Sequence, residues 1–184
     1  MKFKGTILIT DPCYLDHNSG EDLWFESSCG EDLSIFGCSQ WISESTIYGD
    51  WSCHTYKGVK SEIQEFINHW DNLYIDFFRK YNAPDIKEDE RKALLSEYKQ
   101  FSKEFKDKYT YGSFCADAGM VCVVYLDEVL KVNPGIQDLI DKCPHCATVI
   151  EDFDGDIRYE VDDDGDAHIV GTGNKNFYTS QSGL

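Results

Sequence analysis

The spacing of apolar residues changes twice along the 184-residue chain, and no other feature constrains the fold as strongly. From Ser61 to Tyr109 the apolar residues recur every three or four positions, which is typical of amphipathic helices. Asn82-Ala83-Pro84 interrupts this pattern, because proline disfavours a helical conformation in the residue before it. We therefore expect one helix that begins with a capping box at Ser61 and Gln64, and a second from Asp85 to Tyr109.

The flanks on both sides contain short segments of β-branched and aromatic residues, which are typical of strands. The predicted strands cover 6–10, 41–48, 51–56, two runs within 111–125, 147–150, 157–161 and 167–170. Gly49-Asp50, Asp154-Gly155 and Asp164-Gly165 have the composition of tight turns. The first of these turns suggests a hairpin of the strands at 41–48 and 51–56. The sequence therefore predicts an α+β fold in a single domain over 1–184, with an antiparallel β-sheet or barrel-like core and a helical hairpin inserted at 61–109.

The chain has a formal net charge of −17, and this charge is concentrated near the C-terminus. The segment from Glu151 to Asp166, called here the acidic segment, contains nine acidic residues and one arginine, a net charge of −8. Such a charge repels the phosphates of nucleic acids and anionic lipids, so we expect neither general nucleic-acid binding nor membrane docking. A basic protein partner would fit the acidic segment.

The N-terminal residues give an expectation about the compartment. The apolar run from Thr6 to Thr10 is too short for a signal peptide and ends at Asp11 without a cleavage site. No stretch of about eighteen apolar residues, the length that crosses a membrane, is present. We therefore expect a cytoplasmic protein, whose eight cysteines are thiols or metal ligands.

Cys143-Pro144-His145-Cys146 has the spacing of a thiol-disulfide oxidoreductase motif and of half a zinc site. In an oxidoreductase this motif opens a long helix, but the residues after Cys146 predict strands, so we do not favour redox catalysis. A zinc site would need two further ligands. The candidates for these ligands are Cys13, Cys29, Cys38, Cys53 and His54. Because there is no second CxxC motif, we favour buried or loop thiols, predict no cofactor and leave the zinc site open.

Two Asp-Gly repeats in the acidic segment resemble cation-binding loops. Asp152-x-Asp154-Gly155-Asp156 and Asp162-x-Asp164-Gly165-Asp166 each place several carboxylates close together. Neither repeat has the EF-hand order of ligands, and neither has a glutamate at the twelfth position. Two hairpin turns explain the same residues, so we favour turns and leave calcium binding open.

Asp11-Pro12-Cys13-Tyr14 directly follows the first predicted strand, where proline ends the ladder and side chains are presented at the strand end. Asp117-Ala118-Gly119 follows another predicted strand in the same way. If the two strands pair, Asp11 and Asp117 approach each other. Close carboxylates have perturbed pKa values and can bind metal or act as acid and base. Alternatively, each aspartate caps its own turn through backbone N–H groups.

The C-terminal segment from Gly171 to Gln181 is rich in amides, hydroxyls and glycine. Such groups can bind the edge of a nucleobase or a sugar, with Phe177 or Tyr178 stacking and Lys175 contacting a phosphate. An ordinary terminal strand with a polar edge is the alternative. Together with the strand-end residues, this segment gives the predicted ligand-binding set. Its members are Asp11, Cys13, Tyr14, Asp117, Asn174, Lys175, Asn176 and Tyr178.

Two segments of the chain resemble a known group of sequences. Residues 5–15, which contain Asp-Pro-Cys-Tyr, and residues 112–119, which contain Asp-Ala-Gly, are similar to uncharacterised bacterial and phage proteins with a DPCY strand-end motif. The resemblance covers the flanks and not the helical hairpin. It implies a β-rich fold and a bacterial or phage origin, and it transfers no catalytic residue.

These observations lead to three hypotheses about function. The chain has no nucleophile elbow, no Walker loop and no HExxH motif. Our leading hypothesis is therefore a phage-encoded protein of the host cytoplasm, such as an anti-defence protein, that binds a nucleotide-like ligand without catalysis. The second is an acidic inhibitor that mimics nucleic acid or blocks a basic site on a host enzyme. The third is a metal-dependent hydrolase that uses Asp11 and Asp117.

Overall fold

The structure is a computed structural model that describes residues 1–20, 23–45, 51–163, 165 and 167–181. It has the predicted α+β architecture, with an antiparallel sheet as its core. The strands are β1 (Lys2–Thr10), β2 (Trp41–Ser45), β3 (Trp51–Lys57), β4 (Thr110–Ala116), β5 (Met120–Tyr125), β6 (Ala147–Val161), β7 (Ala167–Gly173) and β8 (Phe177–Gln181). The helices are α1 (Leu23–Glu26), α2 (Lys60–Tyr81), α3 (Glu88–Tyr109), α4 (Leu126–Val132) and α5 (Ile136–Lys142), with short 3-10 helices at Pro12–Asp16 and Leu33–Phe36. Within these described residues, no helix has both the length and the hydropathy needed to cross a membrane.

The strands form one antiparallel sheet with the order β2-β5-β1-β6-β7-β8-β3-β4. The long strand β6 connects the two halves, because its first part pairs with β1 and its last part pairs with β7. It bends at Asp152, which has a positive φ of 50°, opposite a register shift in β1 after Gly5. The sheet curves as a result, and Phe3 of β1 and Phe114 of β4 enter one buried cluster.

Three buried clusters form the layers of the molecule. The first lies inside the curved sheet and contains residues from both halves. The second lies outside β1 and β5, where Leu8 and Val124 are covered by residues of α4, α5 and the 3-10 helices. The third lies outside β3, β7 and β8, where Tyr56 and Tyr178 pack against α2 residues such as Trp70. The hairpin of α2 and α3 therefore packs on the outer face of one half of the sheet.

In the chain, both helices of the hairpin follow β3 and precede β4. Each begins at a different residue from the one predicted. The predicted capping box at Ser61 is wrong, because α2 begins at Lys60 and the Glu62 carboxylate accepts a hydrogen bond from the Val59 N–H at 3.2 Å. This bond satisfies one of the N–H groups that the first helical turn leaves free. The second helix, α3, begins at Glu88, three residues later than predicted.

The predicted hairpin of the second and third strands is wrong in its pairing. β2 pairs with β5, whereas β3 pairs with β4 and β8. Residues 46–50, which include the predicted Gly49-Asp50 turn, lie outside the described residues. The side chains from Val121 to Val124 in β5 are all buried, so this strand is central and needs a neighbour on each edge. The pairing of β2 with β5 is therefore explained by the burial of β5 and not by the turn that was predicted after β2.

The predicted turn at Asp154-Gly155 is also wrong, because both residues lie within β6. Gly155 faces Gly173 of β7, and a Cβ atom added at Gly155 would lie 2.2 Å from the carbonyl oxygen of Thr172. Glycine is needed here because two backbones approach closely. The second predicted turn falls between β6 and β7, where Gly165 is described and Asp164 and Asp166 lie outside the described residues.

We expect Gly155→Ala to lower the free energy of unfolding by about 1–3 kcal/mol, the usual cost of overpacking. The added methyl group meets backbone atoms of β7, which cannot rotate away as a side chain can. Urea unfolding followed by circular dichroism measures the loss. Gly20→Ala is the control, since no atom lies within 4 Å of its added Cβ and only its positive φ opposes the substitution. An unchanged stability of Gly155→Ala would contradict the close approach of β6 and β7.

Candidate functional site

The structure brings together Asp11, Cys13, Tyr14 and Asp117, which we call the strand-end cluster. The Asp11 side chain is fully buried and accepts hydrogen bonds from the N–H groups of Cys13, at 2.9 Å, and Ala118, at 2.7 Å. The Tyr14 hydroxyl donates a hydrogen bond to the Asp117 carboxylate. The turn after β4 leads into β5, which pairs with β1 up to Thr10 and Cys122, so the sheet brings the two turns together and the side-chain bonds join them. Asp11 thus caps its own turn and also binds the turn after β4.

Burial raises the pKa values of three groups in the strand-end cluster. Burial raises the pKa of Asp11 more than hydrogen bonds from backbone N–H groups lower it. Burial also raises the pKa of the Cys13 thiol, and the nearby Asp11 and Asp117 raise it further. The pKa of Tyr14 is raised by burial and by its hydrogen bond to Asp117. Cys13 and Tyr14 therefore stay protonated at neutral pH and lack the ionised form that a nucleophile needs.

Within the described residues, Asp11 and Asp117 are not part of a set of metal ligands. In the part of the chain that the structure describes, no group of three or more histidine, cysteine, aspartate or glutamate side chains could hold a metal ion. The hydrolase hypothesis therefore has no ligand set among these residues.

Cys143-Pro144-His145-Cys146 lies at the end of a helix rather than at its start. The Cys143 N–H donates a hydrogen bond to the Leu139 carbonyl at 2.8 Å at the end of α5, and β6 begins directly after Cys146. The C-terminus of a helix carries a partial negative charge, which disfavours a thiolate. All eight cysteines are free. This position differs from the one that an oxidoreductase motif occupies.

The amide-rich segment lies at the turn between β7 and β8, away from the strand-end cluster. Asn174 accepts a hydrogen bond from the Asp154 N–H at 2.8 Å and donates one to the Asp152 carbonyl at 2.7 Å. Lys175 and Asn176 likewise bond to backbone groups of β6 and β7. These bonds brace the bend of β6, and they use polar groups that the sequence suggested for a ligand. Roughly five residues of β1 separate this bend from Asp11, a distance of about 17 Å.

Tyr178 lies in a third place, on the outer face of β8 near the first turn of α2. It lines a groove with a volume of about 470 Å³, which we call the α2 groove. The other polar residues of the lining are Lys60, Ser61, Gln64, Arg158 and Glu160, and Val59 and Val170 add apolar surface. This volume is typical of small-molecule sites. The α2 groove combines charged and neutral hydrogen-bonding groups.

Several buried polar groups without hydrogen-bond partners lie near Tyr178, between the sheet and the helical hairpin. Among the described residues, the hydroxyls of Tyr178 and Tyr56, the Nδ1 atom of His54 and one carboxylate oxygen of Asp71 have no partner, and we call these four residues the polar seam. Tyr56 pairs with Tyr178 across β3 and β8, and the rings of His54 and Tyr56 lie 5.8 Å apart. A buried group that lacks its hydrogen bond costs about 1–3 kcal/mol. The polar seam can therefore bind a polar ligand or ordered water.

Burial shifts the pKa values in the polar seam in the directions that favour the uncharged forms of the side chains. It raises the pKa of Tyr178 to about 12, and it lowers the pKa of His54 to about 4. It also raises the pKa of Asp71. Lys60 lies over the Tyr178 ring, 5.9 Å from its centroid, and lowers the pKa of Tyr178 by less than burial raises it. The Tyr178 hydroxyl is therefore protonated at neutral pH and can donate a hydrogen bond.

The cations of the α2 groove are paired with residues of the acidic segment. Lys60 Nζ lies 3.0 Å from an Asp162 carboxylate oxygen, which also lies 3.2 Å from Nε2 of His168. Arg158 pairs with Glu160. Ion pairs that are partly exposed to solvent contribute little to stability and open readily. Lys60 and Arg158 are therefore available to an anion that displaces their carboxylate partners.

The predicted ligand-binding set includes Tyr178 but not the residues around it. Gln64 belongs to a predicted helix, Lys60 precedes the predicted start of that helix, and Arg158 belongs to the acidic segment. No spacing in the sequence connects the three residues. The strand order β6-β7-β8-β3, with α2 directly after β3, brings them together. Comparison with protein-family models, with curated proteins and with solved structures found no match.

Proposed function

We propose that the protein binds a small, polar, nucleotide-like ligand in the α2 groove and does not act as a catalyst. The observation that carries this proposal is the Tyr178 hydroxyl, which is buried at the α2 groove beside the Lys60 ammonium group and forms no hydrogen bond of good geometry within the described residues. A ligand with a polar edge can form a hydrogen bond with this hydroxyl. Binding then removes the free-energy cost of leaving the hydroxyl unbonded in the free protein. The raised pKa values of Cys13 and Tyr14 support a role without nucleophilic chemistry.

The lining of the α2 groove suits a nucleotide in three respects. The Gln64 amide and the Ser61 hydroxyl can donate and accept hydrogen bonds at a base or sugar edge. Arg158 can bind a phosphate through two parallel N–H donors once it leaves Glu160. The N-terminal end of α2, beside Lys60, adds a helix dipole that favours an anion.

Isothermal titration calorimetry with nucleosides, nucleoside monophosphates and cyclic nucleotides tests this proposal. We expect at least one compound to bind, and Tyr178→Phe to weaken its binding about tenfold, because a buried hydrogen bond contributes about 1.5 kcal/mol. The same substitution should not lower the free energy of unfolding of the ligand-free protein, since phenylalanine removes an unsatisfied hydroxyl. Tyr125→Phe is the matched control, because its hydroxyl accepts a hydrogen bond from the Lys4 N–H on the other half of the sheet.

Arg158→Gln separates recognition of the phosphate from recognition of the base and sugar. It should weaken the binding of nucleoside monophosphates and leave the binding of nucleosides unchanged. If no compound in the panel binds, the ligand is not nucleotide-like. If Tyr178→Phe binds as the wild type does, the α2 groove is not the site.

The acidic segment is a second candidate surface, and several of its carboxylates are already engaged within the protein. Asp154 pairs with Lys4 at 2.9 Å, and Asp162 contacts Lys60 and His168. These contacts occupy carboxylates that a basic partner would need. Inhibition of a basic enzyme through the acidic segment is therefore less well supported than ligand binding.

A further inference from the structure

The apolar stripe of α2 continues beyond the part of the helix that covers the sheet. Near the sheet, Ile63, Ile67 and Trp70 are buried in the third cluster. After Trp70 no residue of α2 is buried, and Ile75 and Phe78 are 52% and 55% exposed. Phe77 of this stripe stacks on Tyr98 of α3, with 4.3 Å between the ring centroids, so α3 covers the distal stripe only in part. An apolar helix face that is covered only in part is typical of an interaction surface.

Two adjoining depressions follow the contact between α2 and α3 on this distal half of the hairpin. Their volumes are about 170 Å³ and about 480 Å³. Their apolar floor includes Leu73, Phe77, Ala83, Ile86, Leu94 and Tyr98. Because Lys80, Leu94 and Glu97 line both depressions, they form one continuous surface, which we call the hairpin groove.

Four carboxylates and one ammonium group line the hairpin groove. The carboxylates belong to Asp76, Asp85, Glu90 and Glu97. The ammonium group belongs to Lys80, which already pairs with Asp76 at 2.6 Å. Four negative charges and one positive charge give this rim a net charge of −3. The charge of the whole chain, −17, adds long-range attraction for a cationic partner.

We propose that the hairpin groove binds a basic amphipathic helix of a partner protein. The apolar face of that helix packs on the floor, and its lysine or arginine side chains meet the acidic rim. Along α3 the lining of the groove extends from Glu90 to Phe101, which at 1.5 Å per residue is about 17 Å, or about three turns of a partner helix. A second copy of this chain is a poorer occupant, because two identical acidic rims repel each other. The α2 groove lies at the other end of α2, so this proposal is independent of the proposed ligand.

A synthetic peptide of about fourteen residues, with leucine at helical spacing and lysine elsewhere, tests the proposal. Fluorescence anisotropy of the labelled peptide should detect micromolar binding to the full chain at physiological salt, with weaker binding as the salt concentration rises. Glu97→Lys and Leu94→Ser should each weaken binding about tenfold, the first by reversing a rim charge and the second by removing apolar floor. Glu65→Lys makes the same charge change at an exposed position on the proximal half of α2 and should have little effect.

Three results would overturn the proposal. Equal binding of a scrambled peptide of the same composition would mean that net charge alone attracts it. Equal binding by Glu97→Lys and wild type, with helix content confirmed by circular dichroism, would exclude the acidic rim. Dimers in sedimentation velocity that disappear in Leu94→Ser, without binding of the peptide, would identify a second copy as the occupant.

Discussion

Asp11→Ala is expected to lower the free energy of unfolding by about 3 kcal/mol. The Asp11 side chain has no exposed surface, and its two oxygens accept hydrogen bonds from the N–H groups of Cys13 and Ala118. Hydrogen bonds to a charged group contribute about 1.5–3 kcal/mol each, and alanine removes both of them. Urea unfolding measures the loss. Asp11→Asn keeps one acceptor oxygen, so it should lose less than Asp11→Ala.

Asp32 provides a matched control for this effect of burial. Like Asp11, it caps a short 3-10 helix, and its carboxylate accepts a hydrogen bond from an N–H group two residues later, that of Ser34 at 3.0 Å. Unlike Asp11, it is exposed, and in the described part of the chain its carboxylate accepts hydrogen bonds from the N–H and hydroxyl groups of Ser34. Asp32→Ala should therefore cost much less than Asp11→Ala. Similar losses for the two variants would mean that the cap alone, and not the link to the turn after β4, determines the effect.

The helices and strands show which parts of the fold a local pattern can predict. The period of apolar residues located α2 and α3 to within a few residues, because burial of one helix face produces that period. Strand pairing could not be predicted in the same way. The neighbour of β2 is β5, about 75 residues away along the chain, and the need to cover both sides of β5 decides this pairing. Gly155 illustrates the same limit, since glycine at a close backbone approach and glycine in a turn look alike in a sequence.

Among the predicted site residues, only the proximity of those at neighbouring strand ends could be predicted from the sequence. Asp11 and Asp117 were expected to approach each other, and their turns do meet. Asn174 was expected in the same place, but the β7–β8 turn lies beside the bend of β6, at the other end of β1. The polar seam could not be predicted, because His54 and Tyr56 occupy strand positions whose burial depends on the hairpin that covers them.

Acidification is expected to destabilise the protein through His54. Burial, and secondarily the positive charge of Lys106, lowers the pKa of His54 from 6.5 to about 4. The unfolded chain binds this proton near pH 6.5, whereas the folded protein stays neutral at that position until about pH 4. The contribution of His54 to stability is therefore complete above pH 6.5 and decreases as the pH falls towards 4. At about 1.4 kcal/mol per pH unit, the total loss is about 3 kcal/mol.

Urea unfolding of three proteins between pH 7 and pH 5 isolates this effect. His54→Gln takes up no proton, so its stability should fall less than that of the wild type over this interval. His69→Gln removes an exposed histidine from α2 and should keep the wild-type pH dependence. Burial raises the pKa values of Asp11 and Asp71, which opposes the effect of His54, but both aspartates are present in all three proteins and their contributions cancel in the comparison. If wild type and His54→Gln lose stability in parallel, water already reaches His54, and the polar seam is hydrated in the free protein.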